Sequence, residues 1–101
     1  MLEDETTTKK NKLKGTQMNT CIISTYDCTY DEFRTKVEAE SSIWGQYVDE
    51  WTIAKVDEHK SIMVMNVVDF EGLQAFMSTD EMVAWDKENG CFDTLYSMDA
   101  M

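Results

Sequence analysis

The segment Ile62 to Val68, IMVMNVV, constrains this chain most, because it is apolar at every position except Asn66. Successive side chains of a strand point to opposite faces, so Ile62, Val64 and Val68 fall on one side and Met63, Met65 and Val67 on the other. A strand apolar on both sides belongs inside a sheet whose two faces are both covered. One layer of helices covers one face only. Each such side chain is worth roughly 1.5–3 kcal/mol when buried, and large exposed apolar patches mark association sites. The simplest cover for the second face is another copy of the chain, so a homodimer is expected.

The flanking sequence supplies the rest of the layer. Asn19 to Tyr26 (NTCIISTY) is rich in β-branched and aromatic residues and reads as a first strand. Thr29 with Glu32 is a capping box, and Tyr30, Phe33, Val37 and Trp44 recur at helical spacing until Gly45 stops the pattern. Gln46 to Val56 alternates as a second strand and ends in Asp57-Glu58-His59-Lys60, a polar tetrad suited to a hairpin loop. After the Ile62–Val68 strand, Asp69 caps a helix carrying Leu73, Phe76 and Met77. That helix restarts at a second capping box, Ser78 with Glu81, continues through Met82 and Trp85, and ends at Asn89-Gly90. Cys91 to Met98 is the last strand, with Phe92, Thr94, Tyr96 and Met98 on one face and Cys91, Asp93, Leu95 and Ser97 on the other. The order is βαββαβ, the α+β ferredoxin-like arrangement, in which an antiparallel four-stranded sheet carries both helices on one face.

Residues 1–17 differ from this domain of residues 18–101. They hold four lysines and three acidic residues with few apolar ones, and read as a disordered N-terminal extension or an expression remnant, with Met18 as an alternative start. The formal charge is -11 for the whole chain and therefore -12 for residues 18–101. That charge repels phosphate backbones and anionic membrane surfaces, so neither nucleic acid nor membrane is an expected partner. No apolar run reaches the length of a membrane span and no secretory signal pattern opens the chain. Cys21, Cys28 and Cys91 are odd in number and lack metal-ligand spacing, so they read as reduced thiols in a cytoplasmic protein.

Element order, the first-helix sequence CTYDEF, the interrupted helix MSTDEMVAWDKENGC and the tyrosine-bearing last strand make residues 18–98 resemble the dimeric α+β barrels, most of all their small uncharacterised families. The resemblance implies two ferredoxin-like subunits with their sheets face to face and a cleft between sheet and helices. The superfamily contains cofactor-independent monooxygenases, haem-degrading enzymes, isomerases, dehydratases and members without known activity, so it implies a fold and a cleft rather than a reaction. Its haem-degrading branch pairs a tryptophan with a histidine on the second helix. Trp85 matches the tryptophan, but Phe70 to Glu88 holds no histidine, so haem is not expected and no cofactor is implied.

Five residues are candidates for lining the cleft. Tyr26, Trp51, Trp85 and Tyr96 each combine a large apolar face with a polar handle, and Asn66 is a buried amide needing either strand neighbours or a ligand. Core filling is the competing reading for the aromatics. His59 falls in the hairpin loop, where a solvated role outweighs acid–base chemistry. Cys28 precedes a helix start that favours a lowered thiol pKa, but has no base beside it. Met63 and Met65 have a spacing usable by cuprous copper, yet core packing explains them and no metal site is expected. The carboxylates Asp27, Asp31, Glu32, Asp80, Glu81, Asp86 and Glu88 read as solvated groups that favour helix starts. Three functions fit: a homodimeric binder of a small, fairly apolar molecule, a cofactor-independent monooxygenase- or isomerase-type enzyme, and a structural or regulatory interaction module.

Overall fold

The computed structural model describes residues 17–101. The N-terminal extension expected over residues 1–17 lies, apart from Gln17, outside the described residues. The described elements are β1 (Thr20–Thr25), α1 (Tyr30–Ala39), α2 (Ser41–Trp44), a 3₁₀ turn (Gly45–Tyr47), β2 (Val48–Asp57), β3 (Lys60–Val67), α3 (Phe70–Met77), α4 (Asp80–Glu88) and β4 (Phe92–Ser97). The strands form one sheet in the order β2-β3-β1-β4, with every neighbouring pair antiparallel.

Burial alternates strictly along β3: Ser61, Met63, Met65 and Val67 are buried, while Lys60, Ile62, Val64 and Asn66 are half-buried. The buried side faces the helices. There Met63, Met65 and Val67 join Ile22 of β1, Val48 of β2, Trp44 of α2 and Leu73 of α3 in one core cluster. On the other side of the sheet stand Ile23, Ile62, Val64, Phe92 and Tyr96, and Phe92 remains 69% exposed in the single chain. Asn19 secures the end of this layer. Its side-chain amide donates to Val67 O and its Oδ1 accepts from Val67 N, both at 2.9 Å, standing in for a further rung of the ladder.

Local chemistry corrects four sequence expectations. The first helix does not run unbroken to Gly45. It ends at Ala39, and Ser41 Oγ donates to Glu38 O at 2.8 Å, an alternative partner for a carbonyl at the helix end. Gly45 has φ -62°, ψ -20° and carries the chain into the 3₁₀ turn rather than stopping it. The second capping box does not form: Thr79, not Ser78, caps α4 by accepting from Met82 N at 3.3 Å. The hairpin is tighter than four residues, because Asp57 pairs with Lys60 and Asp57 Oδ1 accepts from His59 N at 2.8 Å, leaving Glu58-His59 as the turn. The box at Thr29 and the Asp69 cap form as read, and Gly90 takes the left-handed φ of +58° after α4.

Candidate binding cavity and its polar end

A cavity of about 80 Å³ lies between the helix-facing side of the sheet and the helices. Its floor is Ile22, Met63 and Met65, and Phe33, Leu73, Phe76 and Trp85 close over it from α1, α3 and α4. Phe33 is stacked on Tyr26 with ring centroids 4.3 Å apart and meets Trp85 at 6.1 Å. Lys36 of α1, ion-paired to Glu40 at 2.9 Å, holds its ammonium 5.7 Å from the Trp85 ring centroid, within range of a cation–π contact.

The polar part of the lining comes from the Lys36–Glu40 ion pair and from a group made of Ser24, Asp86, Cys91 and Asp93. Antiparallel register sets Ser24 of β1 opposite Asp93 of β4, and the buried Ser24 hydroxyl donates to Asp93 Oδ1 at 2.6 Å. Cys91 Sγ lies 3.7 Å from the same oxygen, and one oxygen each of Asp86 and Asp93 with this sulfur fall within 4.8 Å of one another. Cys91 N donates to the Asp86 carbonyl at 2.7 Å, which ties the start of β4 to the end of α4. Burial pushes the Asp86 carboxyl above the ordinary carboxylate range, and the neighbouring Asp93 pushes it further. Burial, followed by the same two carboxylates, pushes the Cys91 thiol strongly up and keeps it protonated at neutral pH.

This arrangement predicts a pH dependence in the metal-free protein. A carboxyl whose pKa is raised on folding contributes stability below its unfolded pKa and loses it as pH rises through the folded value. Asp86→Asn is therefore expected to raise the melting temperature at neutral pH. The gain should shrink to nothing as acidification protonates the wild-type carboxyl. The effect is small, under about 1 kcal/mol, because solvent still screens a group that is only half-buried. Thermal melts of both proteins across the acidic range measure it.

Of the five residues expected to line a cleft, Tyr26, Trp51, Asn66, Trp85 and Tyr96, the structure places Trp85 at this cavity and the other four elsewhere. Tyr26, 3% exposed, stands behind Phe33, with its hydroxyl beside that of the buried Ser61. Trp51 packs edge-on against Trp44 at 5.0 Å, behind the cavity wall. Asn66 and Tyr96 lie on the opposite face of the sheet, since they alternate with the buried Met65 and with the helix-facing Leu95. Alternation separates the two faces of a strand but does not say which of them the helices cover.

The remaining candidates take quieter positions. His59 is exposed in the hairpin turn with Nδ1 2.9 Å from Cys28 O, which ties the turn to the approach of α1. Cys28 departs from the lowered pKa favoured by its place before a helix: burial, then Glu32, raises it. Met63 and Met65 are core residues. Sequence reasoning missed Ser24, Asp86, Cys91 and Asp93 as a group. The available signal was Asp93, an acid inside a strand on the same alternation face as Leu95.

No family model and no curated protein matches the chain. Among solved structures it is similar to SnoaB, a cofactor-independent oxygenase from Streptomyces nogalater, with TM-score 0.55 and 6% identity over 84% of this chain and 97% of that one. An asparagine-to-alanine variant of SnoaB matches over the same shares, with TM-score 0.55 and 5% identity. The likeness is one of fold.

Proposed function

We propose that the chain is a homodimeric ferredoxin-like βαββαβ domain of the dimeric α+β barrel kind, which binds a small, fairly apolar molecule between its sheet and helices. The cavity carries this reading: an apolar, partly aromatic chamber with hydrogen-bonding groups gathered on Ser24, Asp86, Cys91 and Asp93. At about 80 Å³ it is smaller than the roughly 150 Å³ that holds a benzene-sized guest. Met63, Met65, Met77 and Met82 line it, and flexible thioether chains adapt to a guest more readily than branched ones. The open sheet face supports the dimer, and three free thiols suit a cytoplasmic setting. Among the described residues no helix is long and apolar enough to cross a membrane.

Phenol and indole, each an apolar ring with one donor, are the probes. At a concentration 100 times its Kd, a guest that binds only the folded state adds about 2.7 kcal/mol of stability. A dose-dependent rise in melting temperature is expected in the wild type and in Asn66→Leu, whose amide lies on the far face, and a much smaller one in Trp85→Leu. An equal response in wild type and Trp85→Leu, or no response to either probe, removes the cavity as the binding site. The fold shared with SnoaB favours a second reading, oxygenase-type chemistry on a bound aromatic without added cofactor. Oxygen uptake dependent on an aromatic substrate, and lost in Asp93→Asn, is the result that selects it.

A further inference from the structure

We propose that Asp86, Cys91 and Asp93 form a binding site for a divalent ion of the zinc class. The donors come from the end of α4, the turn after it and β4, and all three residues are half-buried. The spacing suits one ion. Zinc bound tetrahedrally by sulfur at about 2.3 Å and oxygen at about 2.1 Å sets those two donors about 3.6 Å apart, and Cys91 Sγ lies 3.7 Å from Asp93 Oδ1. The third donor, an oxygen of Asp86, is within 4.8 Å of both.

Charge points the same way. The ion pairs among the described residues join Arg34 to Glu38, Lys36 to Glu40 and Lys55 to Glu58, so neither Asp86 nor Asp93 is ion-paired among them, and the one ammonium that shares their cavity, Lys36, is held by Glu40 and only partly offsets the Asp86 charge. A divalent ion supplies the missing positive charge. Ser24 is 3% exposed and holds Asp93 Oδ1 from behind, as a hydroxyl supporting a metal ligand does. The thiol selects the metal: hard ions such as calcium and magnesium take oxygen donors in larger number, whereas one sulfur and two oxygens suit zinc. On binding, the metal–sulfur bond replaces the S–H bond of Cys91 and the proton passes to solvent. Three protein ligands leave the fourth position of a tetrahedral ion free, and the cavity that Asp86, Cys91 and Asp93 line gives that position room.

The test uses full-length protein stripped with a chelator and titrated with Co²⁺, then Zn²⁺. One ion per chain is expected, with a sulfur-to-cobalt charge-transfer band and the intense visible absorption of four-coordinate cobalt, both abolished when Zn²⁺ displaces it. Cys91→Ser should remove the charge-transfer band, whereas Cys21→Ser and Cys28→Ser should keep it. Ser24→Ala should weaken Zn²⁺ binding by roughly 10–100-fold with the fold intact. Failure to retain either ion, a pale octahedral cobalt spectrum, or a band that survives Cys91→Ser overturns the site. If Cys91→Ser does not fold, the wild-type cobalt spectrum and its loss in Asp93→Asn decide the matter. Binding of phenol by the stripped protein is read separately, so the site and the apolar guest stand or fall independently.

Discussion

Replacing Val64 with lysine is expected to turn the proposed dimer of twice 11.7 kDa into a monomer. Val64 sits in the middle of the open sheet face, paired with Cys21 on β1 and Thr52 on β2 and flanked by Ile23 and Ile62. In a symmetric dimer the same patch serves both partners, so one substitution places two ammonium groups in the interface. Taking each out of water costs several kcal/mol, and every 1.4 kcal/mol is a factor of ten, so association should weaken at least about a hundredfold. Light scattering at micromolar concentration reads the mass, and circular dichroism should show the subunit still folded, because the helix-facing core is untouched. A wild-type protein that runs at 11.7 kDa without concentration dependence would sink both the dimer and the barrel.

Met65→Ala should be the most damaging single change in the core. Met65 is 1% exposed, pairs with Trp51 and Thr20 in the middle of the sheet, and forms part of the cavity floor. Truncating a buried methionine to alanine costs about 2–5 kcal/mol, the spread reflecting how far the site collapses. For a domain of this size each 1 kcal/mol lowers the melting temperature by roughly 4–8 °C, so a drop of 10 °C or more is expected. The removed side chain also enlarges the chamber. Benzene or phenol should therefore restore more stability to Met65→Ala than to the wild type. A variant with wild-type stability, or one destabilised but indifferent to both probes, would show that Met65 is not the floor of the cavity.

The chain by itself determined its elements and their faces, because both follow from local rules. Thr29 and Glu32 specify a helix start through two backbone amides, Gly90 supplies a left-handed residue, and alternation along Ile62–Val67 separates Met63 and Met65 from Ile62, Val64 and Asn66. The two-sided apolar strand announced a central position, and β3 does lie between β2 and β1. Element ends were less well specified. Ser41 and Thr79 shifted them by hydrogen bonds that compete with equally plausible local partners such as Ser78. Tertiary structure alone decided which face of the sheet the helices cover, since alternation separates two faces without naming the inner one. That choice put Trp85 in the cavity and left Asn66 and Tyr96 on the far side. It also assembled the polar end. Ser24 and Asp93 are 69 residues apart and meet only because β1 and β4 pair in one register, while Asp86 reaches them because α4 ends just before β4 begins. Contacts of that separation depend on how whole elements pack, which no local pattern of residues encodes.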